Sequence, residues 1–189
     1  MRIARLVRRT SDGLARVERV LLMGLTGAVA LLVLLNVATR AAGYTLAWAD
    51  ELAVYGMVMG GFVGASLMLR MRTAPAVTIV YELVPDWAVR GLRTVVSTIA
   101  FLFGLVLIWL CWRWFDLGAL AGAGFDVAAF EGQTFNFLYT ERSPVLGARM
   151  IWFYVVIPWF ALTLSVHALT NLVEDLGLIA PPPPEEATP

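Results

Sequence analysis

Four stretches free of charged residues, Val20–Thr39, Leu52–Leu69, Thr94–Trp112 and Met150–Val173, alternate with charge-bearing segments along the chain. They run 20, 18, 19 and 24 residues. A helix rises about 1.5 Å per residue and needs about 20 residues to cross a hydrocarbon core about 30 Å thick. Each stretch is therefore a candidate span, and the second extends into both interfaces through Trp48 and Met71. The expected fold is an all-α integral membrane protein with four transmembrane helices. Composition agrees, since 15% of residues are charged against about 25% in soluble domains.

All 14 basic residues are Arg, and they are unevenly placed. Arg2, Arg5, Arg8, Arg9, Arg16 and Arg19 precede the first span, and Arg70, Arg72, Arg90 and Arg93 lie between the second and third. Only Arg40, Arg113, Arg142 and Arg149 fall in the other two connections. Ten against four predicts both termini in the cytoplasm and residues 113–149 outside. Clustering beside spans explains these Arg residues without nucleic acid as a partner.

This gives a basic amphipathic segment over 1–19, a four-helix membrane domain over 20–175 and a Pro/Glu-rich cytoplasmic tail over 176–189. In the first, Ile3, Leu6, Val7, Leu14 and Val17 recur at helical spacing, which predicts a helix on the membrane surface running into the first span. Ser11-Asp12-Gly13 is a candidate break or re-cap. The first span is too long for a signal-peptide core of about 7–15 residues and lacks a small-residue cleavage site, so it is expected to be retained. Val77–Val84 is apolar but too short to cross, and predicts an interfacial segment. Pro85-Asp86 is expected to stop it and cap the next helix, with Trp87 as an anchor. The 113–149 segment carries Phe125, Phe130, Phe135, Phe137 and Tyr139, too aromatic a set for a free linker, so it is expected to pack.

Few residues offer chemistry. Cys111 is the one cysteine and His167 the one histidine, which excludes an intrachain disulfide and a bis-histidine haem and leaves a poor metal set. No cofactor, metal site or catalytic residue is expected, and the chain is not expected to be an enzyme. Trp48, Glu51 and Tyr55 sit at i, i+3 and i+7 on one helix face, with Asp50 about 100° away. The two acids either cap the helix N-terminus or meet a cationic or hydrogen-bonding partner in another helix. Arg40, eleven residues before Glu51, favours the second reading. Gly56, Gly60 and Gly64 recur every four residues and predict close helix approach, without naming the partner helix. Thr163, His167, Asn171 and Glu174 form a polar row whose ordinary use is interhelical hydrogen bonding, with a proton relay as the sharper alternative. Pro158 is expected to kink the last span.

Asn36-x3-Arg40-x7-Trp48-Ala49-Asp50-Glu51-Leu52-x2-Tyr55-x8-Gly64-Ala65-Ser66 resembles the small membrane subunit of the tripartite ATP-independent periplasmic (TRAP) transporters, the DctQ-like family. Leu69-Arg70, Val77-Thr78 through Leu83-Val84-Pro85, Ser143-Pro144-x-Leu146-Gly147 and Trp152-x-Tyr154-x2-Ile157-Pro158 continue the match in order over most of residues 20–175. Two departures stand out. Ala74-Pro75 stands where the family's inner loop usually has a His-Ile-like pair, and the external segment before Ser143 is longer than the pattern.

The resemblance implies a small permease subunit in the bacterial inner membrane. It would clamp to the large TRAP membrane subunit, which holds substrate and sodium sites, while a periplasmic substrate-binding protein delivers an organic acid. Asn36, Arg40, Trp48, Asp50, Glu51, Tyr55, Gly56, Gly60, Gly64 and Pro158 are then its expected interface or structural residues, and no small-molecule site is expected in this chain. The rival readings are a self-contained four-helix transporter using Glu51 or Asp50 for proton coupling, and a membrane anchor subunit of another complex.

Overall fold

The computed structural model describes residues 2–73, 80 and 85–179, and these form helices and loops with no strand. The interfacial segment expected at Val77–Val84, apart from Val80, and the tail from residue 180 lie outside the described residues. Four long helices are apolar enough to cross a membrane. They are α1 (Arg2–Ala41), α2 (Ala47–Met71), α3 (Asp86–Phe115) and the last span, which is divided into α6 (Ile151–Tyr154) and α7 (Val156–Asp175). Between α3 and α6 lie two short helices, α4 (Leu117–Gly122) and α5 (Val127–Thr134).

Ser11-Asp12-Gly13, the candidate break, lies inside the continuous 40-residue α1. Polar side chains break helices by bonding to nearby backbone, and here they are drawn to tertiary partners instead. Ser11 Oγ bonds His167 Nδ1 at 2.7 Å, and Asp12 bonds Arg70 at 2.7 Å. The basic segment is the first part of α1, continuous with the first span. At about 60 Å, α1 is twice the hydrocarbon thickness, so its Arg-bearing part extends past the apolar core.

From residue 16 to 41 the only α1 residues that are not exposed are 18, 22, 25, 29, 32, 36 and 39. This alternation of three and four is a coiled-coil seam, which lets one face stay on one partner along its length. From Leu22 to Val29 the partner is α2, running antiparallel: a Cβ added at Gly56 would lie 2.7 Å from Val29 Cγ2, and Gly60 and Gly64 lie against Leu22 and Leu25. The glycine row thus admits α1. On α3 the buried line is Ser97, Gly104 and Cys111, again seven apart, and it faces α7. A Cβ at Gly104 would lie 3.2 Å from Ser165 Cα, a backbone approach tighter than most side chains make.

The last span is the hub, packing against α1, α2 and α3, while α3 meets the bundle chiefly through α7. Within the apolar windows, 44% of residues are buried in the last span but 6% in α1, which leaves the outer face of α1 bare along its length. The last span is divided at Val155, although Val155 itself donates to the Ile151 carbonyl at 3.1 Å and accepts from Trp159 at 3.2 Å. Pro158 accounts for this, because it has no N–H for the Tyr154 carbonyl and its ring crowds that group. At the start of α3, Asp86 is the first helical residue rather than the cap; Pro85 holds the cap position without a side-chain bond.

Gly104→Ala should lower the unfolding midpoint in detergent, at an overpacking cost of about 1–3 kcal/mol. Gly61→Ala, where an added Cβ meets nothing within 4 Å, should leave the midpoint unchanged. Equal midpoints for the two variants would mean that α3 and α7 are not held at this distance.

Candidate functional site

Two polar clusters close the bundle, one at the end bearing the α1–α2 and α3–α6 connections (the loop end) and one at the Arg-rich end. At the loop end, Asn36, buried within the apolar part of α1, donates from Nδ2 to Asp50 Oδ1 and accepts from the Leu46 amide at 3.4 Å. Arg40 Nη2 reaches Asp50 Oδ2 at 3.3 Å. Asp50 therefore joins the end of α1 to the start of α2. It does not cap α2, whose cap residue is Leu46 and has no side-chain bond.

Glu51 turns to a different partner. Its Oε2 accepts from the Leu146 amide at 2.7 Å and its Oε1 from the Val145 amide at 3.3 Å. The Ser143–Arg149 loop folds onto this carboxylate. Ser143 Oγ accepts from the Ala148 amide, Arg142 donates to the Gly147 carbonyl, and Gly147 takes φ +63°, which turns the loop back. The Tyr55 hydroxyl lies 3.4 Å from both Glu51 Oε1 and Met150 Sδ, and its ring stacks on Phe153 at 4.1 Å. Both acids meet their partners inside this chain. Of the expected face, Trp48 is the member left exposed, at 40%.

The Arg-rich end is organised by Arg70, whose side chain is 6% exposed. Nη1 binds Asn171 Oδ1 at 2.9 Å and both Glu174 oxygens at 3.1 and 3.2 Å, while Nη2 binds Asp12 at 2.7 Å. One guanidinium thus joins α1, α2 and α7. Arg72, at φ 57° just beyond α2, accepts a backbone strain that bulky residues usually avoid. Its side chain is held by Asp175 at 2.7 Å, the Asn171 carbonyl and Glu174. Asp175 in turn accepts from Ser97 at 2.7 Å, which ties in α3.

One turn deeper, His167 Nδ1 faces Ser11 and Nε2 lies 3.0 Å from Glu18 Oε2. Serine, imidazole and carboxylate are the components of a nucleophile relay, yet all three residues are fully buried. Glu18 Oε1 has no hydrogen-bond partner. The arrangement is an interhelical clasp. The row Thr163, His167, Asn171 and Glu174 meets Ser66, Ser11 with Glu18, Arg70, and Arg70 with Arg72 respectively. Among the described residues no group of three or more His, Cys, Asp or Glu could hold a metal ion.

Sequence reasoning missed Ser11, Asp12, Glu18, Arg70, Arg72, Ser97 and Asp175 as members of these clusters. A signal was present for two of them. Ser11 and Glu18 continue the seven-residue spacing of Leu25 and Leu32, so they belong to the seam rather than to a break. Nothing in the local pattern distinguished Arg70 or Asp175 from other charges at a membrane boundary.

Arg70→Ala should cost up to about 3–5 kcal/mol, because it leaves the buried Glu174 carboxylate only its longer contact to Arg72. Removing Glu174 as well should recover part of that loss in a double-mutant cycle of unfolding in detergent; strict additivity would show that the pair is not coupled. Glu51→Ala should cost about 1.5–3 kcal/mol, the range for hydrogen bonds to a charged group. It should accelerate amide exchange at residues 143–149, whereas Asp50→Ala should loosen the α1–α2 turn and leave that loop protected. Unchanged loop exchange in Glu51→Ala would show that the carboxylate does not hold it.

A family profile described as "Tripartite ATP-independent periplasmic transporters, DctQ component" matches residues 29–178, which include α2, α3, the loop-end cluster and the last span. No curated protein and no solved structure matches the chain. The matched region takes in most of the chain, all-helical with four spanning-length helices, and the chain belongs to the DctQ component family of the tripartite ATP-independent periplasmic transporters.

Proposed function

We propose that this multi-pass membrane protein enlarges the static scaffold of a large TRAP membrane subunit in the bacterial inner membrane, for sodium-coupled uptake of an organic acid. In this reading both termini are cytoplasmic, residues 113–149 face the periplasm, and a periplasmic substrate-binding protein delivers the substrate. Trp48 and the bare outer face of α1 are the proposed contacts to the large subunit. Asn36, Arg40, Asp50, Glu51, Tyr55, Gly56, Gly60, Gly64 and Pro158 shape the bundle that presents them. The substrate and sodium sites belong to the large subunit.

The observation that carries this reading is where the charges go. Asp50, Glu51, Arg70, Glu174 and Asp175 are each engaged by partners within the chain, at one end of the bundle or the other. A transport path needs polar groups that face a passage and exchange partners. Here they lock helices together, as a scaffold requires. A proton carrier using Asp50 or Glu51 would need an acid within the bundle, whereas these bind Asn36, Arg40 and loop amides at its end.

Reconstitution tests the reading. Vesicles holding this chain alone should show no gradient-driven uptake. Adding the large subunit and the binding protein should give uptake that collapses with the sodium gradient. Substrate-specific uptake by this chain alone would replace the scaffold reading with the self-contained carrier.

A further inference from the structure

The segment between α3 and α6 spends several of its polar side chains on its own backbone and that of α3, and leaves several of its rings bare. Asp116 and Asp126 accept from backbone amides at the starts of α4 and α5. Asn136 and Tyr139 donate to the last carbonyls of α3, at Trp114 (2.7 Å) and Phe115 (2.6 Å). Burial, reinforced by the Asp116 carboxylate, pushes the Tyr139 hydroxyl above its ordinary value, which keeps it a donor. Phe130 and Leu138 fill the interior, with Phe130 edge-on to Tyr139 at 5.4 Å. Outside remain Phe125, Phe135 and Phe137, exposed by 71%, 79% and 55%.

Two of these rings stand on strained backbone. Phe125 has φ 62° and Phe135 φ 54°, in the left-handed region where chains usually place Gly or Asn after a helix. A bulky ring kept there and left bare points to a task beyond the local fold.

The depth of the rings is fixed by α3. Phe137 lies between the two residues that bond the Trp114 and Phe115 carbonyls, so it sits at the level of the last turn of α3. Trp112 and Trp114 are themselves exposed on that turn, and Leu117 is exposed one residue after Asp116. Exposed aromatic rings at the end of a spanning helix are the composition of the membrane–water belt. The bare rings thus continue the apolar surface of α3, where Ile99, Leu102, Val106, Trp109 and Leu110 are exposed. Between residues 114 and 140 the charged residues are Asp116, Asp126 and Glu131, and the first two are engaged as caps. That leaves little charge to steer a protein partner and little to keep the segment in water.

We infer that residues 117–139 form an interfacial paddle resting in the bilayer surface beside α3, with Phe125, Phe135 and Phe137 at the boundary between headgroups and acyl chains. The occupant of this aromatic surface is lipid. The paddle braces the loop end of α3, the span held to the bundle chiefly through α7.

Single cysteines replacing Phe135 or Phe137 in a Cys111→Ala background, labelled with an environment-sensitive fluorophore, test this in phosphatidylcholine vesicles. Both positions are exposed, and Phe135→Cys replaces a strained residue rather than a packed one. Phe125→Cys provides a third, independent site. Emission should shift to the blue, and a nitroxide near the lipid carbonyls should quench it at least about twofold more than aqueous iodide, as for groups about 5–10 Å into the interface. The same result should hold with and without the large subunit. Iodide quenching equal to that of free dye would overturn the inference. So would shielding from both quenchers that develops only when the large subunit is present, since the surface would then belong to a protein contact.

Discussion

A guanidinium buried where three helices meet costs free energy for each donor left unanswered, and that requirement governs the Arg-rich end of this protein. Arg70 leaves α2 and finds Asp12 on α1 and Asn171 and Glu174 on α7. Glu174 is buried with it, so losing Arg70 would leave that carboxylate only the longer contact to Arg72. Satisfying this group draws α1, α2 and α7 together at that end. Arg72, Asp175 and Ser97 extend the same logic to α3.

The loop end solves a milder problem by different means. Its two adjacent carboxylates point to different partners, Asp50 to Asn36 and Arg40, and Glu51 to the amides of Val145 and Leu146. Adjacent helical positions diverge by about 100°, so neighbouring acids can serve two separate contacts. One fastens the α1–α2 hairpin, the other fastens the entry to the last span. Between the two ends, contact is made through glycine and seven-residue spacing, with α1 seated on Gly56, Gly60 and Gly64 and Ser165 on Gly104. Polar closure at both ends and close backbone approach between them hold the helices together.

Much of the fold was legible in the sequence. Uncharged stretches of spanning length could only be membrane helices, and glycine at every fourth position could only be a packing face, because both follow from helix geometry along a single strand of sequence. Pro158 marked its own break for the same reason, through the N–H it lacks. The family itself was legible in the spacing from Asn36 to Ser66. Other readings failed where a side chain had two local uses. Ser11-Asp12-Gly13 carries the composition of a helix stop, and it continues as helix because His167 and Arg70, far along the chain, take up its polar groups.

Sequence alone therefore determined the solvent, the element type and the faces of this protein: lipid, helix, and the seam and glycine rows on which helices meet. Tertiary structure alone decided the pairings. Which helix fills the glycine row, which residues answer Arg70 and His167, and whether Glu51 turns outward or toward its own loop depend on groups up to 156 positions apart. Local periodicity carries no information across such distances. A charge at a membrane boundary looks the same in sequence whether it faces water, a subunit or a buried partner, and the difference arises only when the helices assemble.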